Sequence, residues 1–306
     1  MELWNKITQI TEPGTIDELI ADAGDVGHKV TARLVHDWVA QGLLDKPTRR
    51  PKGRRGSAKA LHAATQRQLF LLLLDKRQQM PRIPRLALIP LNLWFYCGDE
   101  VVPTRQALKA LRTWLRDGVR SKDVAREGAR QMLQQLDHPL ATDTARNRLL
   151  RLLTDLSYTG RFDRDELTEA ARAVFEPPSA FAGSGLRRAV GHAQAPETLE
   201  YFLTHIHAMC TAIRRVRDGD VDVALFARVR LVHEAVAGAS PELLAEAFGD
   251  TTGVDLVNGC GRNVLAILGL EILLAEGYWE NAPYKPARVA AGFGHLRGSG
   301  APTATR

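Results

Sequence analysis

The clearest candidate functional feature of this sequence is a run of basic side chains between residues 46 and 59, which is suited to phosphate binding. It holds seven lysine and arginine residues and no acidic residue: Lys46, Arg49, Arg50, Lys52, Arg54, Arg55 and Lys59. Prolines and glycines interrupt the run, which predicts a loop and not a helix. A basic loop held at both ends binds phosphates well, because each neutralised phosphate releases condensed counterions. The alternative interpretation is a solvated, flexible linker.

Two short helices are predicted before this loop. Thr15 and Glu18 have the spacing of a capping box, so a helix of about two turns is expected to start there and to end at Gly24. The second helix is expected over about residues 30–41, with Gly42 as its C-terminal stop. A third, leucine-rich helix is expected after the loop, over residues 63–79.

The second helix has two different faces. Its buried face is predicted to consist of Leu34, Val35, Trp38 and Val39. Its outward face is predicted to consist of Arg33, His36 and Asp37. The order helix, turn, helix, basic loop, helix predicts a winged helix-turn-helix, in which the second helix enters the DNA major groove and the loop reaches the backbone.

The first quarter of the chain, about residues 14–75, resembles the DNA-binding domain of MerR-type regulators. The matching residues are Thr15 to Leu19, Val30 to Arg33, Trp38, Gly42 to Leu44, and then Pro47, Arg49 and Arg50. His36 and Asp37 stand where that family has a second arginine and an aromatic residue, and Leu34 replaces a threonine. Asp37 would repel phosphate, so no DNA contact is expected from it. Trp38 is expected to pack in the core.

The resemblance implies a sequence-specific regulator that binds double-stranded DNA, as a homodimer on palindromic operators. Contacts to base edges or nearby phosphates are expected from Lys29, Thr31, Arg33 and His36. Contacts to the DNA backbone are expected from Arg49, Arg50, Lys52, Arg54, Arg55 and Lys59. The effector-sensing cysteines and the long dimer helix of MerR-type regulators have no match here.

The rest of the chain predicts an all-α protein, with the winged helix-turn-helix of residues 1–79 followed by a helical bundle over 104–280. Between them, the apolar, proline-rich residues 80–103 are interpreted as an extended, buried connector, or alternatively as an exposed interaction patch. The bundle is expected to supply dimerisation, sensing of a small-molecule effector, or both. Residues 281–306 are expected to form a flexible tail. Within the bundle, helices are expected over 104–118, 121–136, 143–157, 163–175, 196–218, 222–237 and 263–276, with a short one from 240 and a loop over 176–195.

No motif in the sequence predicts catalysis, a cofactor or a metal. His205 and His207 are two residues apart, so on a helix they point in nearly opposite directions and cannot share an ion. The segment 258–261 surrounds Cys260 with glycines and is interpreted as a tight turn. No phosphate-binding loop and no dinucleotide fingerprint is found. The protein is therefore expected not to be an enzyme.

Composition is ordinary for a globular protein: the 306 residues are 45% hydrophobic and 25% charged. The net charge of +6 favours a polyanionic partner. Three widely spaced cysteines predict no disulfide framework and hence a reducing cytoplasm, where a DNA-binding protein would associate with the nucleoid. No signal peptide is evident, and the longest apolar run is about twelve residues where a membrane span needs ~20, so no membrane partner is expected.

Two other functions remain open at this point. An excisionase-like or architectural factor would use the same DNA surface to bend DNA for a recombinase. A non-DNA interaction or ligand-binding protein would use the apolar segment Leu86–Tyr96 as its contact surface.

Overall fold

The computed structural model describes residues 2–49, 59–177, 196–239 and 253–277. These residues are mostly helical, as predicted, and the only β-type pairings among them are two isolated bridges. The helices are α1 (Glu2–Gln9), α2 (Ile16–Asp25), α3 (Ala32–Gln41), α4 (Ala64–Gln79), α5 (Ile83–Leu86), α6 (Leu88–Cys97), α7 (Thr104–Arg120), α8 (Lys122–Leu136), α9 (Asp143–Thr159), α10 (Arg164–Phe175), α11 (Pro196–Asp218), α12 (Val223–Ala239) and α13 (Gly253–Ala275). None of the helices in these ranges is both long and apolar enough to cross a membrane.

The chain divides into two compact units. Among the described residues, the first unit comprises 2–116 together with 223–227 and 253–261, and the second comprises the remainder. The first unit thus takes in the segment interpreted as a connector and most of α7.

Helix α2 begins with the predicted capping box. The backbone N–H of Thr15 donates to Glu18 Oε2 at 2.6 Å, and the N–H of Glu18 donates to Thr15 Oγ1 at 3.4 Å. These reciprocal bonds satisfy donors that a helix start otherwise leaves without partners. The helix continues one residue past Gly24, to Asp25.

Helix α3 is the predicted second helix, and it has a defined cap at each end. Thr31 is its N-cap, and Gly42 follows it in the left-handed conformation at φ 78°. A Cβ added to Gly42 would lie 2.6 Å from the backbone nitrogen of Ala110 in α7. Two features therefore require glycine at position 42: its positive φ and the close approach of α7. Trp38 is fully buried, as expected, with its ring edge-on to Phe70 of α4 at 5.4 Å.

The extended conformation predicted for residues 80–103 is wrong over most of its length, because α5 and α6 lie there. Pro84 and Pro90 both fall in the first turn of their helix, where no intrahelical bond from the backbone nitrogen is needed. The predicted burial is confirmed for Leu91 and Trp94, which are fully buried. The Trp94 ring stacks on Phe226 at 4.4 Å. The segment is therefore mainly core of the first unit and not an exposed patch.

The second unit has a core built mainly from α8 to α11, which includes the buried residues Leu149, Leu153, Phe175, Leu203 and Ile206. Its helix starts follow the predicted caps: Ser121 caps α8 and Asp163 caps α10. The apolar residues of α13 are buried as expected, among them Val264, Leu265 and Leu268.

The tight turn predicted at 258–261 is wrong, because these residues lie inside α13. A Cβ on Gly261 would come within 2.7 Å of the Trp114 ring, so this glycine serves close helix packing and not a turn. The short helix predicted from residue 240, most of the loop over 176–195 and the tail over 281–306 lie outside the described residues.

Candidate nucleic-acid interface

The outward face of α3 carries an accessible arginine. The side chain of Arg33 is 91% exposed, and its Nε lies 3.9 Å from Oδ2 of Asp37, one turn further along. His36, between them in sequence, is also exposed. An exposed pair at this separation is weak, so a phosphate or a base edge can replace Asp37 as the partner of the guanidinium.

The N-terminal end of α3 holds two further predicted contact residues. Lys29 is exposed in the loop between α2 and α3. Thr31 is exposed too, but its hydroxyl oxygen accepts from the N–H of Leu34 at 3.4 Å. The Thr31 hydroxyl therefore caps α3, and its proton can still be donated to a phosphate oxygen.

The basic loop is closed at its base by backbone pairing. Thr48 and Leu61 exchange two hydrogen bonds, of 2.8 and 3.0 Å, and His62 pairs in the same way with Gly14, at 2.7 and 2.9 Å. Arg49, the first loop residue after this pairing, is exposed. The ends of the loop are thus held together, as a DNA-binding wing requires.

Four predicted backbone contacts, Arg50, Lys52, Arg54 and Arg55, lie outside the described residues. Lys59, the last basic residue of the loop, is 74% exposed and donates to Oδ2 of Asp17 at 2.7 Å. This hydrogen bond raises the pKa of Lys59. An exposed pair of this kind is weak, so Lys59 remains a candidate phosphate contact that must first leave Asp17.

His62 lies at the base of the loop, where its backbone pairs with Gly14. Its side chain is buried, with no hydrogen bond from Nδ1 to any described residue. Burial lowers the pKa of His62, Asp45 opposes that shift, and His36 of α3 adds to it. We call Lys29, Arg33, His36 and Arg49 the candidate DNA surface.

The support of α3 by α7 was missed by sequence reasoning. Lys109 Nζ donates to the carbonyl of Val39 at 2.8 Å, and Thr113 Oγ1 donates to that of Gln41 at 2.7 Å. These carbonyls belong to the last turn of α3, where helices have few internal donors, and that of Val39 otherwise accepts only a 3.4 Å bond from the N–H of Gly42 among the described residues. The only sequence signal was a polar stripe on an otherwise amphipathic helix, which usually indicates a solvated face.

In the part of the chain that the structure describes, no group of three or more histidine, cysteine, aspartate or glutamate side chains could hold a metal ion. Cys210 is buried, and burial raises the pKa of its thiol to about 12. The thiol is therefore protonated at neutral pH and is a poor metal ligand.

Comparison with models of known protein families, with curated proteins and with solved structures gave no match. A proposal about function therefore rests on the residues of this chain.

Proposed function

We propose that this protein is a sequence-specific, double-stranded DNA-binding regulator of transcription, whose first unit contains a winged helix-turn-helix. In this proposal α3 enters the major groove, and the loop over residues 49–60 is the wing that contacts the adjacent backbone. The protein acts on chromosomal DNA in the cytoplasm.

The observation that carries the proposal is the exposure of Arg33 on a short helix with a defined cap at each end. An arginine that projects from such a helix can donate two hydrogen bonds to guanine in the major groove. Each good contact of this type contributes ~1–3 kcal/mol of discrimination between bases.

A second observation supports the wing. The pairing of Thr48 with Leu61 closes a loop that contains six of the seven basic residues in the run. The wing follows α3 closely in the chain, since α3 ends at Gln41 and the pairing that closes the loop begins at Thr48. Phosphate contacts from the wing would supply affinity, and base contacts from α3 would supply sequence preference.

The helical second unit is proposed to provide dimerisation, effector binding, or both. Two-fold dimers of helix-turn-helix proteins read half-sites about one helical turn apart. A dimer of this chain would therefore protect two half-sites centred about 10 base pairs apart, or a multiple of that distance.

Burial of most of the segment Leu86–Tyr96 weakens the main reason to propose a non-DNA interaction protein, although Tyr96 is 44% exposed. That function required an exposed apolar segment, whereas Leu86, Leu91, Trp94 and Phe95 are all at most 1% exposed.

A gel-shift titration with random duplex fragments, at low and at moderate salt, tests the proposal. Salt-sensitive binding is expected, and binding that is absent at both salt concentrations would refute it. Genome-wide mapping of bound sites then separates a regulator, which occupies promoters, from an architectural factor, which occupies recombination sites.

A further inference from the structure

Three side chains on one face of α7 hold the chain at the end of α3. Gln106 Nε2 donates to the carbonyl of Leu43 at 2.9 Å, in addition to the bonds from Lys109 to Val39 and from Thr113 to Gln41. The donors are spaced three and four residues apart, so they form a single stripe along α7. The acceptors are alternate carbonyls of residues 39 to 43.

Close packing adds to these hydrogen bonds. Gly42 lies so near the backbone of Ala110 that no Cβ fits between them. Arg105 donates through Nε and Nη2 to the carboxylate of Asp45, just beyond α3, with 3.0 Å from Nε to Oδ1. The last turn of α3 and the residues after it are therefore fixed against α7 at several points.

We infer that Lys109 and Thr113 are positioning residues for DNA recognition, which set the angle at which α3 meets the duplex. The inference rests on the proposed function, since it assigns a role in binding DNA. Base contacts require that a side chain reach specific atoms in the groove, whereas phosphate contacts tolerate a shift of the helix. Loss of the two donors should therefore reduce discrimination more than it reduces general affinity.

Thr113 gives the cleaner test, because Thr113→Val removes the donor without changing the charge or much of the shape. The probes are a duplex selected by the unaltered full-length chain from a random library and a duplex of scrambled sequence. Thr113→Val is expected to bind the selected duplex about three- to tenfold more weakly, as for one lost hydrogen bond, and the scrambled duplex about as well as the unaltered chain. Thr113→Ser keeps the hydroxyl and is expected to restore binding.

Lys109 provides a second pair of variants. Lys109→Met keeps an apolar stem and removes the ammonium, and Lys109→Arg keeps a donor. Only the methionine variant should lose discrimination. Hydrogen exchange at the amides of Gly42 and Leu43, measured without DNA, should be faster in Thr113→Val and in Lys109→Met than in their conservative partners.

The outcomes separate this inference from the proposed function. If the unaltered chain does not bind duplex DNA in a salt-sensitive way, the proposed function fails and the inference fails with it. If the unaltered chain binds but Thr113→Val and Lys109→Met keep its discrimination, the inference alone is overturned. An equal loss of binding to both duplexes would also overturn it, because a purely structural defect lowers both together.

Discussion

Several arginines of the second unit have close carboxylate partners, whereas the arginines of the candidate DNA surface have a weak partner or none. In the second unit, Arg146 donates to both Asp137 and Asp143, at 2.7 and 3.2 Å. Other arginine pairs of this unit are Arg148–Glu169, Arg215–Glu276, Arg228–Glu271 and Arg230–Glu234. On the candidate DNA surface, Asp37 at 3.9 Å is the one carboxylate partner of Arg33 among the described residues. Lys29 and Arg49 have no ion pair with a described residue.

This contrast indicates which cations are available to a polyanion. A paired arginine must give up its carboxylate before it can bind a phosphate, and the carboxylate left behind repels the ligand. On the candidate DNA surface, a phosphate would displace only the weak pair of Arg33 with Asp37. Local pairing therefore distinguishes Arg33 and Arg49 from the closely paired arginines of the second unit, while Arg161 and Arg214 of that unit are exposed and serve as controls.

Replacement of Arg33 by alanine should produce the largest effect on binding to a selected duplex. Loss of a base contact costs ~1–3 kcal/mol, which corresponds to roughly a 5- to 150-fold weaker Kd. Competition between the selected and scrambled duplexes measures the change, and discrimination should relax at one position of the site. Arg161→Ala, at an exposed arginine of the second unit, is the matched control and should leave the Kd unchanged.

Loss of two wing arginines should weaken binding to every sequence. Each neutralised phosphate contributes about −0.9 to the slope of log Kobs against log [salt], so Arg54→Ala combined with Arg55→Ala should make the slope less steep by about one to two units. Fluorescence anisotropy at several salt concentrations gives this slope. The double variant Arg161→Ala and Arg214→Ala removes the same charge from the second unit. If the two double variants change the slope equally, the contrast between the regions is mistaken.

Asp37→Asn should act in the opposite direction. In the proposed complex it would remove a negative charge beside the duplex, and it frees Arg33 from its weak pair. Since exposed pairs contribute ~0.2–1 kcal/mol, the affinity for duplex DNA should rise by up to about fivefold at low salt. Asp165→Asn, at an exposed acid of α10, removes the same charge and should change little. Weaker binding by Asp37→Asn would mean that Asp37 supports the surface and does not restrain it.

The smallest effect concerns pH. Burial lowers the pKa of His62 below its ordinary value of 6.5, so the unfolded chain takes up a proton before the folded chain does. Stability that is present above about pH 6.5 should be lost as the pH falls through and below that value. Urea unfolding at several pH values should show a smaller pH dependence for His62→Gln. Part of the dependence should remain, because burial also lowers the pKa of His207 and His233. An unchanged dependence would exclude His62 as its source.

Local signals were sufficient to predict the ends of α2 and α3. Thr15 with Glu18, and Gly42, act within a few residues, so their effect can be read along the chain. The helical spacing of apolar residues in α3 likewise predicts that Trp38 is buried and that Arg33 and His36 are exposed. Much of the candidate site could therefore be predicted from the sequence, including the exposure of Arg33.

Tertiary contacts account for what sequence reasoning did not find. The bond from Lys109 to Val39 and the pair of Lys59 with Asp17 join residues far apart in the chain, and no local pattern indicates them. The predictions based on proline in 80–103 and on glycine in 258–261 were wrong for a related reason. Pro90 lies in the first turn of a helix, and Gly261 makes room for Trp114, so each has a role set by position and not by residue type alone.

The salt dependence of duplex binding by the full-length chain is the most direct test of the central claim. If α3 and the wing together neutralise five or more phosphates, log Kobs should fall with log [salt] at a slope of about −4 or steeper. The slope should become less steep when the wing arginines are removed. A slope near zero, or the absence of binding at low salt, would contradict the assignment of this surface to DNA.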